Sequence, residues 1–164
     1  MTKTRLRGPI LGLLAICALS GCSAFTYPAP GPSRQAMGLD AAVAQPRLAP
    51  CPSSPNCVCT FDRGPEHAIA AFAYTKAPAD VMAGIETTLL ADPKVRLLEK
   101  NDARRYMHFA FKVGVLGFVD DVEFFIDEST KTVQFRSASR IGHSDMGVNR
   151  RRLEGLRAVL PGRI

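Results

Sequence analysis

Arginine is the residue most able to do chemistry in this chain, and it is concentrated in one run, RSASRIGHSDMGVNRRRLEGLR, between Arg136 and Arg157. From Arg136 to the end only Asp145 and Glu154 oppose seven arginines. A planar guanidinium fork holds carboxylate or phosphate in two-pronged fashion, so the chemistry this run suggests is anion binding. Arg150, Arg151 and Arg152 fall in the first turns of a predicted C-terminal helix. The macrodipole is positive there, and cations are unfavourable unless an anion meets them. Arg140, Arg150 and the backbone amides of Gly147 and Val148 would then form an anion cradle. The candidate ligand-binding set is Arg136, Arg140, Asp145, Gly147, Asn149, Arg150 and Arg152. Asp145 has a simpler reading as a helix N-cap, and Asn149 as a plain helix-face residue. For acid/base catalysis the chain offers only weak candidates, Asp120 and the loop histidine His143. It contains no GxSxG, no HExxH and no glycine-rich phosphate loop.

Several elements must position these groups. HAIAAFAY (67–74) alternates and predicts a strand. Pro78-Ala79-Asp80 opens a helix through about Leu90, with Val81, Ile85, Thr88 and Leu89 on one face and Pro93 ending it. Strands follow at 94–100, 105–113, 118–127 and 132–139, with a turn at Asn101-Asp102 and a loop at Val115-Leu116-Gly117. The last helix spans about Met146 to Leu160, capped by Ser144 or Asp145, with Leu153, Leu156 and Leu160 inward. The order β-α-β-β-β-β-α predicts an α+β domain: one curved antiparallel sheet with both helices on one face. TATA-binding-protein-like folds share that topology, a likeness that implies nothing about DNA.

A four-residue loop between Asp127 and Thr132 sets the register of the last hairpin. Ile126 then faces Val133, Phe124 faces Phe135 and Val122 faces Ser137 on the core side, with Asp120 opposite Ser139 at the rim. On the other face Glu123 opposes Arg136, and Asp121 has Arg136 and Arg140 as diagonals. Two readings stand for this charged group: a solvated face of ion pairs, each contributing roughly 0–1 kcal/mol, or part of the cradle. Asp120 at the edge of a core needs a partner, and Arg140 or the 144–149 amides are the candidates.

The N-terminus carries Lys3, Arg5 and Arg7 ahead of an apolar run, Ile10 to Leu19, too short to span a bilayer. Leu19-Ser20-Gly21-Cys22 resembles a bacterial lipobox, which predicts a signal peptide over 1–21 and lipidation of Cys22. Ser23 after it matches default sorting to the outer membrane, facing the periplasm. Acyl chains contribute about 0.8 kcal/mol per buried CH₂, so such an anchor holds. Residues 22–50, rich in Pro, Ala, Gly and Ser, predict a disordered tether, and 51–164 the single domain. Cleavage removes three cations, leaving 18 Lys and Arg against 15 Asp and Glu and a formal charge of +3. That is too small a balance for nucleic acid.

Cys51, Cys57 and Cys59 remain in CPSSPNCVC. In an oxidising compartment Cys51–Cys57 is the natural pair, with Cys59 left over. The alternative is a thiolate metal site from Cys51, Cys57 and Cys59 with His67, though it lacks the paired CxxC of structural zinc. No cofactor is expected.

CPSSPNCV, GFVDDVEF and RSASRIGHSDMGVNRRR resemble the three signature blocks of domain-of-unknown-function family 1499, which includes bacterial envelope lipoproteins. The resemblance covers roughly Ala49 to Leu160. It implies importance for Cys51, Cys57, Asp120, Asp121, Arg136, Ser137, Ser139, Arg140, Gly142, Asp145, Gly147, Asn149 and Arg152, and it supplies no reaction. Cys59 departs from the serine usual at that place. The leading expectation is a non-catalytic binding module that holds an anionic lipid, glycan or acidic protein at the membrane. An assembly factor using the open sheet face comes second, and an enzyme on a phosphorylated or carboxylated substrate third.

Overall fold

The computed structural model describes residues 37–40 and 45–164. Six strands form one antiparallel sheet: β1 (Cys57–Cys59), β2 (Phe72–Ala73), β3 (Val95–Asn101), β4 (Tyr106–Val113), β5 (Phe118–Asp127) and β6 (Thr132–Ser139). They are ordered β1-β6-β5-β4-β3, and β2 also pairs with β6. The helices are α1 (Pro78–Leu90) and α2 (Val148–Val159). Both contribute to one apolar core with the inner sheet face, through Val81, Met82, Ile85 and Leu89 of α1 and Leu153 of α2, with Leu160 just beyond α2. The α+β class, the single sheet and the helix placement are as the periodicity predicts.

The β5–β6 hairpin has the expected register: Asp120 opposite Ser139, Val122 opposite Ser137, Phe124 opposite Phe135 and Ile126 opposite Val133. Phe109, Phe124 and Phe135 meet edge-on or tilted beneath the helices, a geometry that adds to their area burial. Asp127 Oδ1 accepts the Ser129 and Thr130 amides and so closes the connecting turn.

The strand predicted over 67–74 is cut down to Phe72–Ala73 and an isolated bridge from Ala68 to Cys59. Arginines are the reason. Arg150 donates to the carbonyls of Glu66 and Ala68, and Arg157 to those of Ala70 and Ala71. These are acceptors that a longer ladder would have used. The short strand CVC at β1, which periodicity does not reveal, takes the free edge of β6 instead.

The second sheet face is covered rather than open. Leu48, Cys59, Tyr106 and Phe125 form a second apolar cluster, joined by Leu39, Cys51 and Phe61. Part of the expected tether therefore packs on the sheet: Leu39 bridges to Leu48, which is fully buried, and the Gly38 amide donates to Glu123 Oε1 at 2.7 Å. Domain packing begins before Cys51. Residues 1–36 and 41–44, with the expected signal peptide and the lipidation expected at Cys22, lie outside the described residues.

At the other end of the chain Ile164 joins the main core. The preceding Arg163 carbonyl lies so close to Gly84 of α1 that a Cβ there would sit 2.6 Å from the oxygen.

Candidate functional site

The arginines find their anions within the protein. Arg140 grips Asp121 with both arms, Nε to Oδ2 at 2.9 Å and Nη2 to Oδ1 at 2.7 Å, while His108 Nε2 donates to the same carboxylate at 2.8 Å. Arg136 donates to Glu123 Oε2 at 3.0 Å, and Tyr106 donates to Oε1 at 2.7 Å. Asp121, Glu123, Arg136 and Arg140 are all within 1% of complete burial. The solvated-face reading is therefore wrong, because Leu39, Leu48, Phe61 and their neighbours cover this layer. The pairs are buried, so removing one partner costs several kcal/mol rather than a few tenths. Arg136 Nε and Nη2 have no partner among the described residues. The open-face assembly reading loses its surface for the same reason.

Burial pushes the Asp121 carboxyl up, but hydrogen bonds from His108 and Arg140 outweigh it and hold the group below its ordinary value. Burial and the Glu123 charge push the Tyr106 hydroxyl up.

The cradle expected at the start of α2 is filled by Asp145. Its Oδ1 accepts the Gly147 amide at 2.9 Å and its Oδ2 the Asn149 amide at 2.7 Å, while its carbonyl accepts the Val148 amide at 3.1 Å. Gly147 occupies the cap position itself in the left-handed region, at φ 77°. Asp145 thus supplies the negative charge that the helix pole requires. Arg150 is spent on loop carbonyls, and Arg151 turns outward with one bond to the Met146 carbonyl. The amide-and-guanidinium cradle has no vacant donors at these amides, and the anion-binding corner fails there as a site.

Arg152, not Arg140, is the partner of Asp120: Nη2 donates to Oδ2 at 2.6 Å, and the guanidinium lies 4.8 Å from the Phe111 ring centre. Arg152 Nη1 also donates to Ser137 Oγ and Asn149 Oδ1. The amide nitrogen of Asn149 in turn reaches the Asn56 carbonyl, Ser139 Oγ and Asp145 Oδ2. Asn56 Nδ2 donates to the Gly142 carbonyl at 2.7 Å. One network therefore ties together CPSSPNCV, GFVDDVEF and the arginine-rich run, which lie far apart in sequence. Sequence reasoning missed Asn56 in this network, and Tyr106 and His108 as partners of the buried Glu123 and Asp121. Asn56 sits inside a recognisable block, whereas His108 and Tyr106 are marked only by polar character on a strand.

Cys51 and Cys57 are joined as expected. The bridge consumes two thiols of the metal alternative, and His67 Nδ1 is engaged with the Cys57 carbonyl at 2.9 Å. Among the described residues no cluster of His, Cys, Asp or Glu could hold a metal. Cys59 is buried, which pushes its thiol up to about 11.

One concave site opens beside the network. A cleft of about 320 Å³ lies between the β4–β5 turn and the 141–148 loop, walled by Phe118, Ile141, Met146 and Val148, with Asp120 and Ser139 on its floor. His143 is exposed and does not line it. Met146 of its wall is 87% exposed, and Val115 and Leu116 of the adjoining β4–β5 turn are 100% and 78% exposed. Such a concentration of large apolar side chains is unusual on a free surface.

The fold and site define an α+β domain braced by buried arginine–carboxylate pairs, with a largely apolar cleft at one end of the sheet. The chain belongs to the DUF1499 family, "Protein of unknown function (DUF1499)", whose profile matches residues 47–160. That span starts at the strap that packs on the sheet and ends with α2. No curated protein and no solved structure matches the chain.

Proposed function

We propose that this protein is a lipid-anchored, non-catalytic binding module of the bacterial envelope, placed at the outer membrane by Cys22, and that its ligand is an anionic amphiphile held in the Phe118/Ile141/Met146 cleft. The carrying observation is the combination of apolar walls with a small polar floor, the usual make-up of a ligand pocket. The arginine corner expected to bind the anion serves to brace the floor, since Arg152 fixes Asp120 there. The apolar part of the ligand lies against Phe118 and Ile141, and its charged head faces solvent, with exposed Arg151 one turn of chain beyond the lining residues Met146 and Val148. A catalytic reading keeps Asp120 and Asp145 in the cleft. The Asp120 carboxylate is already bound by a guanidinium, and the second carboxylate of the lining, Asp145, is taken up by the Gly147 and Asn149 amides.

The test is calorimetric titration with dihexanoyl-phosphatidylglycerol below its micelle concentration. The native protein binds, while Phe118→Asp and Ile141→Asp lose binding at least tenfold and melt within a few degrees of it. Arg150→Ala leaves affinity unchanged. Binding that survives both aspartates, or that vanishes only in Arg150→Ala, rules the cleft out.

A further inference from the structure

The cleft is one side of a larger feature that a soluble ligand does not explain. Two loops project at the same end of the sheet. The β4–β5 turn carries Val115 and Leu116, and the 141–148 loop carries Ile141 and Met146. None of these four side chains is less than 45% exposed. Met146 is held at φ 53°, a left-handed conformation that a non-glycine residue adopts only at a cost. Two hydrogen bonds and the backbone that follows keep it there. Ser144 Oγ accepts its amide, Arg151 Nη1 donates to its carbonyl, and Gly147 follows at positive φ. The loop is thus built to hold a flexible apolar side chain out into solvent.

Charge surrounds this apolar tip. Lys112 lies against Gly117 in the turn, the Lys94 carbonyl accepts the Lys112 amide, and Arg151 stands exposed in the first turn of α2, just after the other loop. The acids at this end are engaged: Asp92 Oδ1 accepts the Lys94 amide, Asp120 is bound by Arg152, and Asp145 by the α2 amides. An apolar tip with lysine and arginine beside it complements an interface with hydrocarbon below and anionic headgroups around it.

We infer that Val115, Leu116 and Met146 insert into the headgroup layer of an anionic bilayer, so that the cleft opens onto the membrane and takes its amphiphile from there. This rests on the reading of the cleft as the binding site, and it adds the partner and the orientation. The fifteen steps of chain from Cys22 to Met37 span about 50 Å when extended, enough to let this end face the membrane to which the anchor belongs.

The chain contains no tryptophan, so one introduced residue reports its own surroundings. The experiment uses the full chain on vesicles of phosphatidylcholine with and without phosphatidylglycerol, some carrying brominated acyl chains. Leu116→Trp is the reporter, and Ala103→Trp in the turn at the opposite end is the control. The expected result is a blue shift and at least twofold quenching of Leu116→Trp on phosphatidylglycerol vesicles, with Ala103→Trp unquenched. A Leu116→Trp spectrum unchanged by vesicles overturns the inference, as does equal quenching at both ends. Failure here combined with calorimetric binding of the monomeric lipid rejects insertion alone. Quenching without that binding rejects the cleft as the site and leaves the membrane contact standing.

Discussion

At the scale of single residues, buried charge decides most of what this molecule does. Arg140 makes two charge-assisted bonds to Asp121, whereas Arg136 makes one to Glu123 and leaves two nitrogens unmatched among the described residues. Arg140→Met strands a buried carboxylate, and urea unfolding should register a loss of about 3–5 kcal/mol. Arg136→Met should cost less, because it also removes donors that are already unsatisfied. An equal or reversed order would mean that the two pairs are not built as described. The Asp121 carboxyl is held below its ordinary value of 3.8, so its contribution is complete at neutral pH. That contribution falls away as the pH drops below 3.8 toward the folded value. Native protein should therefore lose stability over that interval more steeply than Asp121→Asn, as measured by melting temperature against pH. Burial makes Cys59 inert: Ellman's reagent at pH 8 should label it only after unfolding. Rapid labelling of the folded protein would contradict its placement. The types and pairing of these residues were legible in sequence, but their burial was not, since it depends on Leu39, Leu48, Cys51 and Phe61 packing over charges that alternate like a solvent face.

At the scale of elements, α2 shows how a local rule can be met by an unexpected group. Three consecutive arginines at a positive helix pole do suggest an anion, and the anion is Asp145. Asp145→Ala frees the Gly147 and Asn149 amides and should lower stability by about 1–2 kcal/mol. Added phosphate should not restore it if the pole has no affinity for free anions, and a phosphate-dependent recovery of melting temperature would reinstate the cradle. The register of the β5–β6 hairpin was readable because Phe faces Phe and Ile faces Val in only one alignment. The fate of 67–74 was not, since whether an alternating run pairs along its length depends on which distant side chains reach its carbonyls. Arg150 and Arg157 lie more than eighty residues downstream. Close approach of the C-terminal residues to α1 was equally invisible. Gly84→Ala puts a methyl 2.6 Å from the Arg163 carbonyl, so despite the better helix propensity of alanine the variant should melt lower.

At the scale of the whole molecule, three separated sequence blocks converge on one polar network, and that network ends at an apolar cleft. Family membership follows from the match over residues 47–160 and carries no reaction with it. The cleft itself left little trace in the sequence: Phe118, Ile141 and Met146 read there as strand end, loop and helix start, and only folding brings them around Asp120. The reading that the arginines brace a site rather than form it is tested most directly by amide chemical-shift mapping during a titration with monomeric dihexanoyl-phosphatidylglycerol. The expected perturbations lie at Phe118, Val119, Gly142, Ser144 and Val148, with the 65–71 segment and Arg150 unmoved. Shifts confined to Arg150, Arg151 and the 65–71 loop, with the cleft silent, would contradict it.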